Sequence, residues 1–183
     1  MGLDIADLNN DGFNFQEVNW GNANPATFLN PLGEAMFSES YDSGNGVGIT
    51  PDNLFISPAM NLSSVSSSDI SWKVAATDPN YPAEKYSVYL STSPTNLSNA
   101  TLIFSETMAT GGQIFTRSVS SAAYAGQNNI YLIFRHHDCF DQFKLTIDDI
   151  LLESGSGGCN FSATISKTDV SAQGANDGSA TVT

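Results

Sequence analysis

Three short runs of side chains in this chain have the types and spacing to do chemistry. The first is Asp7-Leu8-Asn9-Asn10-Asp11-Gly12. Oxygen-bearing side chains at alternate positions, closed by a glycine, wrap a backbone around a hard cation, because glycine accepts the φ > 0 turn that points successive carboxylates inward. The spacing matches the opening half of an EF-hand loop, but the closing acid is missing: Val18 stands where it belongs and Glu17 is out of phase. No helical pattern flanks the run, so a calcium ion held by Asp7, Asn9 and Asp11 needs ligands from elsewhere in the fold. A solvated, Asx-rich turn is the plain alternative.

The second run is Asp148-Asp149, inside an otherwise apolar strand pattern from Leu145 to Leu152. Adjacent residues on a strand face opposite sides, so one carboxylate is expected on the core side. A buried carboxylate costs several kcal/mol unless it is paired, protonated or metal-bound. Sharing a calcium ion with the Asp7 loop resolves that cost; an ion pair with Lys144 or Arg135 is the alternative.

The third run is Arg135-His136-His137-Asp138-Cys139-Phe140-Asp141. Neighbouring histidines on a strand point apart and make a poor bidentate metal pair. A Cys/His nucleophile needs the two groups within hydrogen-bond reach, which residues so close in sequence rarely achieve. No GxSxG elbow, HExxH pair or phosphate-binding glycine loop is present, so catalysis is not expected. Aromatic residues can stack on sugars, and Trp20, Tyr41, Tyr81, Phe115 and Tyr124 are the candidates. Most aromatics of a sandwich belong to its core. Tyr81, between Pro79 and Pro82, is the best placed on a loop, with Trp20 as a second ligand-binding candidate.

The chain that carries these runs has 183 residues, 40% of them hydrophobic, enough for a core. Only 14% are charged, and six Lys and Arg stand against nineteen Asp and Glu, for a net charge of −13. Such a balance excludes nucleic acid and anionic lipid, which need a basic footprint. No apolar run approaches the ~18 residues of a membrane span. The two cysteines, Cys139 and Cys159, are too few for a disulfide scaffold and lack zinc-finger spacing.

Helical spacing is nearly absent. Ile70, Trp72, Val74 and Ala76 alternate with polar residues, as do Tyr86, Val88 and Leu90, and Ile130 to Phe134 reads as a strand buried on both faces. Asn, Gly, Pro and Ser clusters punctuate the strands, the pattern of an all-β sandwich. A composition break follows Glu153: residues 154–158 read as a Gly/Ser linker, and residues 159–183 as the start of a second, truncated β module. Neither cysteine is expected in a disulfide, Cys139 being poorly accessible and Cys159 reactive.

Five motifs, in order, resemble the cleaved-adhesin, or choice-of-anchor J, domains of secreted Bacteroidetes proteins. They are Asp7 to Gly12; Pro51 to Pro58; Ala76 to Thr92; Tyr124-Ala125-Gly126-Gln127 before Phe134-Arg135-His136; and Cys139 to Phe143 with Ile147-Asp148-Asp149-Ile150. The resemblance covers about residues 3–153. It implies a jelly-roll β-sandwich of two antiparallel sheets over residues 1–153, calcium-binding, with the Asp loop and the Asp pair sharing the cation. Asn9 stands where the family carries an acid, which weakens the site. The tail from Cys159 resembles the start of repeats in flavobacterial gliding adhesins.

The expected function is a non-catalytic, calcium-stabilised adhesion module, probing an extracellular glycan or a matrix or surface protein, in a large secreted or cell-surface bacterial protein. It is expected to be monomeric and not inserted into a membrane. A structural spacer is the alternative, and a jelly-roll glycosidase or lyase a more distant one.

Overall fold

Strict alternation decides which faces of the chain meet. In the computed structural model, which describes residues 4–19, 34–64, 68–154, 165–168 and 179–182, the alternating residues Ile70, Trp72, Val74 and Ala76 are all buried on β7 (Ser68–Ala76). Tyr86, Val88 and Leu90 are buried likewise on β8 (Lys85–Ser91). Each set is half of a core that neither strand can close alone, so the two must lie in facing sheets.

The remaining strands complete them. Earlier in the chain come β1 (Asp4–Asp7), β2 (Gln16–Asn19), β3 (Glu34–Glu39), the short hairpin of β4 (Tyr41–Asp42) and β5 (Val47–Gly48), and β6 (Asp52–Ile56). After β8 come β9 (Thr101–Thr107), β10 (Phe115–Ser120), β11 (Tyr131–His137) and β12 (Lys144–Ser154). One five-stranded sheet runs β1-β6-β11-β8-β9 and the other β10-β7-β12-β3-β2, with every strand pair antiparallel. The fold is therefore the all-β sandwich of two antiparallel sheets that the sequence predicts.

Residues β13 (Ile165–Thr168) and β14 (Ser179–Val182) form an antiparallel ladder of their own. β12 extends to Ser154, the first residue of the expected linker; residues 155–164, which include Cys159, lie outside the described residues.

Between the sheets, Trp72 is the central packing element. Its ring stands edge-on to Tyr86, Phe104 and Phe134, with centroids 6.5, 5.1 and 5.5 Å away, the arrangement that aligns positive ring edges with negative faces. Its Nε1–H donates to Tyr86 Oη at 3.2 Å. Tyr86 donates in turn to Glu106, which the Arg117 guanidinium grips through two nitrogens at 2.6 and 2.9 Å. The chain of bonds passes from β7 to β8 and β9 and back to β10, lacing the open side of the sandwich. Burial pushes the Tyr86 phenol well above its usual range, so it remains a donor.

Strand β11 is buried on both faces, as its apolar run predicts. Leu132 and Phe134 enter the core between the sheets, while Ile133 packs on the outer face with Leu54, Ile56 and Tyr89.

Trp72→Ala removes the largest buried side chain among the described residues and takes from the Tyr86 hydroxyl the one N–H it accepts, leaving its bond to Glu106. A loss of about 3–5 kcal/mol is expected, read as a lower urea midpoint with unchanged m-value. A change under about 1 kcal/mol would show that the sheets repack without it.

Candidate functional site at the loop end of the sandwich

Register places one set of loops together. β7 ends at Ala76, opposite Leu145 near the start of β12; β8 begins at Lys85, opposite Thr107 at the end of β9; and β11 ends at His137, opposite Asp52. The loops following Glu39, Ala76, Thr107 and His137 therefore leave the same end. Backbone bonds tie them: Ser40 N–H to Phe143 O, Thr77 N–H to Lys144 O, and Gly112 N–H to Ala76 O. The Asp7 loop joins this end through Leu8 N–H to Asp52 O and Asn9 Nδ2–H to Thr50 O.

Beneath these loops lies a buried polar cluster that the sequence reading missed. Glu84 and His136 are fully buried and Cys139 is 8% exposed. His136 Nε2 lies 2.8 Å from Glu84 Oε2 and 3.1 Å from Cys139 Sγ, and the thiol donates to the same Oε2 at 3.3 Å. Glu84 Oε1 accepts from Ser40 Oγ–H at 2.9 Å and from Phe143 N–H at 3.0 Å. His136 Nδ1 is 2.8 Å from Ser38 Oγ, which also accepts from Asn53 Nδ2–H. Thus a buried carboxylate has four hydrogen-bond partners, from one strand and two loops, in place of the water it lost.

The expectation that Cys139 and His136 stay out of reach is corrected here. Asp138 adopts φ 51° and Asp141 φ 56°, left-handed conformations that Asp tolerates better than most residues. The chain therefore doubles back at once and brings Cys139 under His136. The geometry is nonetheless not that of a nucleophile pair. Thiol and carboxylate share Nε2, leaving no separate acid to orient the ring from Nδ1. Burial, aided by the Glu84 charge, pushes the thiol far above its ordinary range, which suppresses the reactive thiolate. His137 points the other way, as expected, to Ser87 Oγ at 2.9 Å. Its pKa is lowered by burial first and by Arg135 second, against the pull of Asp138.

The predicted metal residues fall in two places. In the Asp7 loop, Asp7 accepts N–H bonds from Asn10 (2.6 Å) and Gly12 (3.0 Å), Asp11 accepts from Phe13 N–H, and Asn9 Nδ2–H reaches Asp11 at 2.8 Å. Gly12 has φ 88°, the turn for which a glycine is needed. Asp148 and Asp149 sit on β12, in the opposite sheet from β1. Among the described residues, the one set of three metal-ligating side chains whose donor atoms lie within 4.8 Å of one another is Glu84, His136 and Cys139.

The expected core-facing carboxylate is also corrected. A β-bulge between Asp148 and Leu151 breaks the alternation, and Asp149 takes φ 47°. Asp149 is exposed and pairs with Lys73 at 2.5 Å, while Asp148 is half-buried and accepts Asp149 N–H. Lys144 and Arg135, the partners considered from sequence, pair instead with Glu39 and Asp52.

Of the candidate stacking residues, Tyr124 is buried, donating to Leu90 O; Tyr41 packs on Phe143; and Phe115 lies under Arg117. Tyr81 is 56% exposed on the loop end, as expected. Phe140, not singled out from sequence, is 58% exposed there, its ring so close over Gly48 that a Cβ on the glycine would meet it at 2.7 Å. Gln142 joins their loops, accepting Ala83 N–H at 2.9 Å and donating to Phe140 O at 2.9 Å. Trp20 lies outside the described residues.

A two-sheet antiparallel sandwich with a buried polar latch under its loop end defines the class as an all-β sandwich module. A model of the Cleaved Adhesin Domain family matches residues 4–152, and the chain belongs to that family. It is 30% identical over 145 residues to Hemagglutinin A of Porphyromonas gingivalis, a match spanning 69% of this chain and 6% of that protein. This chain thus spans a small part of the curated relatives it matches.

The solved K1 Cleaved Adhesin domain of Lys-gingipain from Porphyromonas gingivalis W83 superposes with TM-score 0.70 at 28% identity, covering 84% of this chain and 90% of that one. A carbohydrate-binding module, TmCBM61, solved with β-1,4-galactotriose, shares the fold at TM-score 0.56 and 9% identity, over 83% of this chain and 88% of that one.

The raised thiol makes stability pH-dependent. Above about pH 8.5 the unfolded chain releases the Cys139 proton while the folded chain keeps it. The unfolded state then binds fewer protons, so stability falls by about 1.4 kcal/mol per pH unit from this group. Urea melts in EDTA, at about pH 7.5 and pH 9.5, are expected to show a steeper loss for the parent than for Cys139→Ala. Equal losses would mean that the folded thiol titrates normally.

Proposed function

We propose that this chain is a non-catalytic adhesion module of a larger extracellular protein, stabilised by calcium and binding a glycan at its loop end. The observation that carries the reading is the pair Tyr81 and Phe140, exposed on loops that Gln142 and the buried Glu84 hold together. Exposed aromatic rings on an immobilised backbone suit sugar faces, because little conformational freedom is lost on binding. The family supports adhesion, and the TmCBM61 structure supports a sandwich of this fold as a glycan carrier. The net charge of −13 favours neutral or cationic ligands over anionic ones.

An array of neutral glycans and matrix proteins, probed in calcium, tests this. Tyr81→Ala and Phe140→Ala are each expected to weaken the retained glycan by about 1–2 kcal/mol, roughly five- to thirtyfold. Retention of a protein alone would redirect the reading to surface-protein adhesion. No retention of any member would leave the structural spacer.

Calcium belongs to the same proposal. The Asp7 loop holds its carboxylates inward, and turning over the Asn9 amide presents a further oxygen to a cation beside them. Saturating calcium is expected to raise the melting temperature roughly 5–10 °C above that in EDTA, with magnesium a poor substitute. Superimposable melts would remove the ion.

A cycle of Asp11→Ala and Asp149→Ala tests the shared site that the family resemblance implies. With a shared ion each single variant loses most of the calcium response and the double variant little more, because residues on one ion are non-additive. Additive losses, with the response kept in Asp149→Ala, would show that the Asp7 loop holds its ion without the β12 pair.

A further inference from the structure

We propose that Glu84 Oε2, His136 Nε2 and Cys139 Sγ form a binding site for a thiophilic divalent cation of the zinc class, separate from any calcium in the Asp7 loop.

The three atoms form a triangle with sides of 2.8, 3.1 and 3.3 Å. Around a tetrahedral zinc ion, with bonds of about 2.0–2.3 Å, the same atoms stand roughly 3.3–3.6 Å apart. The triangle therefore has to open by only about 0.3–0.5 Å. Each donor is already aimed from behind. Ser38 Oγ holds His136 Nδ1 and thereby the ring plane, while Ser40 and Phe143 N–H occupy Glu84 Oε1 and leave Oε2 facing the other two donors. Outer hydrogen bonds of this kind set the orientation and basicity of metal ligands.

Charge and donor type select the ion. A thiolate and a carboxylate together carry −2, which a divalent cation cancels, so the filled site buries no net charge. One oxygen among three donors is far too few for calcium, which takes six to eight, whereas sulfur, imidazole and carboxylate together are zinc-class ligands. Cys139 is the one member with any exposed surface, so metal and a fourth ligand, water, enter on its side.

In the metal-free chain the thiol proton points at Glu84 Oε2, which also lies 2.8 Å from His136 Nε2. Binding expels the thiol proton to solvent, and His136 ligates through an unprotonated Nε2 with its proton on Nδ1, donated to Ser38 Oγ. Starting from a neutral imidazole, one proton leaves per metal bound, and no oxidant or reductant takes part.

The test uses the full chain with Cys159→Ser, so that Cys139 is its only thiol, in saturating calcium. Cobalt(II) is expected to bind at one equivalent. It should give sulfur-to-cobalt charge-transfer absorption and the intense visible bands of a four-coordinate ion, with release of about one proton, and zinc should bleach the spectrum. Adding Cys139→Ser should abolish the charge-transfer band, and Glu84→Gln should weaken binding at least tenfold. The first measurement needs no change at the site, so a misfolded variant cannot obscure it. No charge-transfer band in the folded chain, or a band that survives Cys139→Ser, would overturn the proposal. Calcium is present throughout, so either failure leaves the Asp7 loop reading untouched.

Discussion

The buried Glu84 carboxylate is the constraint on which the loop end depends. It stands at the mouth of β8, accepts from Ser40 and from Phe143 N–H beside the second sheet, and holds His136 and Cys139 from β11 and the turn beyond it. Removing its charge site would leave four donors buried together with too few acceptors, a heavier cost than losing any single hydrogen bond. The loops that display Tyr81 and Phe140 begin or end within a few residues of these contacts. Surface rigidity is thus set from below, by a polar latch, rather than by contacts among the exposed residues.

Electrostatics divides the molecule in a second way. Lys73, Lys85, Arg117, Arg135 and Lys144 each meet a carboxylate within 2.9 Å. Exposed pairs such as Lys85 with Asp138 contribute little individually, but the partly buried Arg135 grip on Asp52 joins the paired strands β11 and β6, and the Arg117 grip on Glu106 ties an edge of one sheet to an edge of the other. With five of the six cations so committed, exposed acids among the described residues such as Asp4, Asp11 and Asp69 face solvent with little cationic surplus around them. The chain therefore repels itself and other anions, an effect that salt screens within about a Debye length.

The strands were legible because their signal is local. Alternation at Ile70 to Ala76 and at Tyr86 to Leu90, and the unbroken run through Phe134, need only neighbours to be read. The latch was not, because its members meet from 52 and 55 residues apart, and nothing local distinguishes Glu84 from a solvated acid. Its proximity to Cys139 also depends on left-handed turns at Asp138 and Asp141, which aspartate permits but does not announce. The same ambiguity misled the reading at Asp149, where a left-handed residue inside a bulge turned an expected core carboxylate outward to Lys73.

The placement of β1 has a mechanical consequence. It is a four-residue edge strand, held by the rungs from Asp4↔Ile56 to Asp7↔Asn53 on one side only. β12 is paired on both sides, with β7 and β3. A tug transmitted along the chain into residue 4 peels rungs one after another, whereas a tug on β12 must shear two ladders together. The first element to yield under load is therefore β1, and its release would uncover Leu54 and Ile56 and slacken the Asp7 loop. A cation gripping that loop would act as a rivet at the weak end of the sandwich.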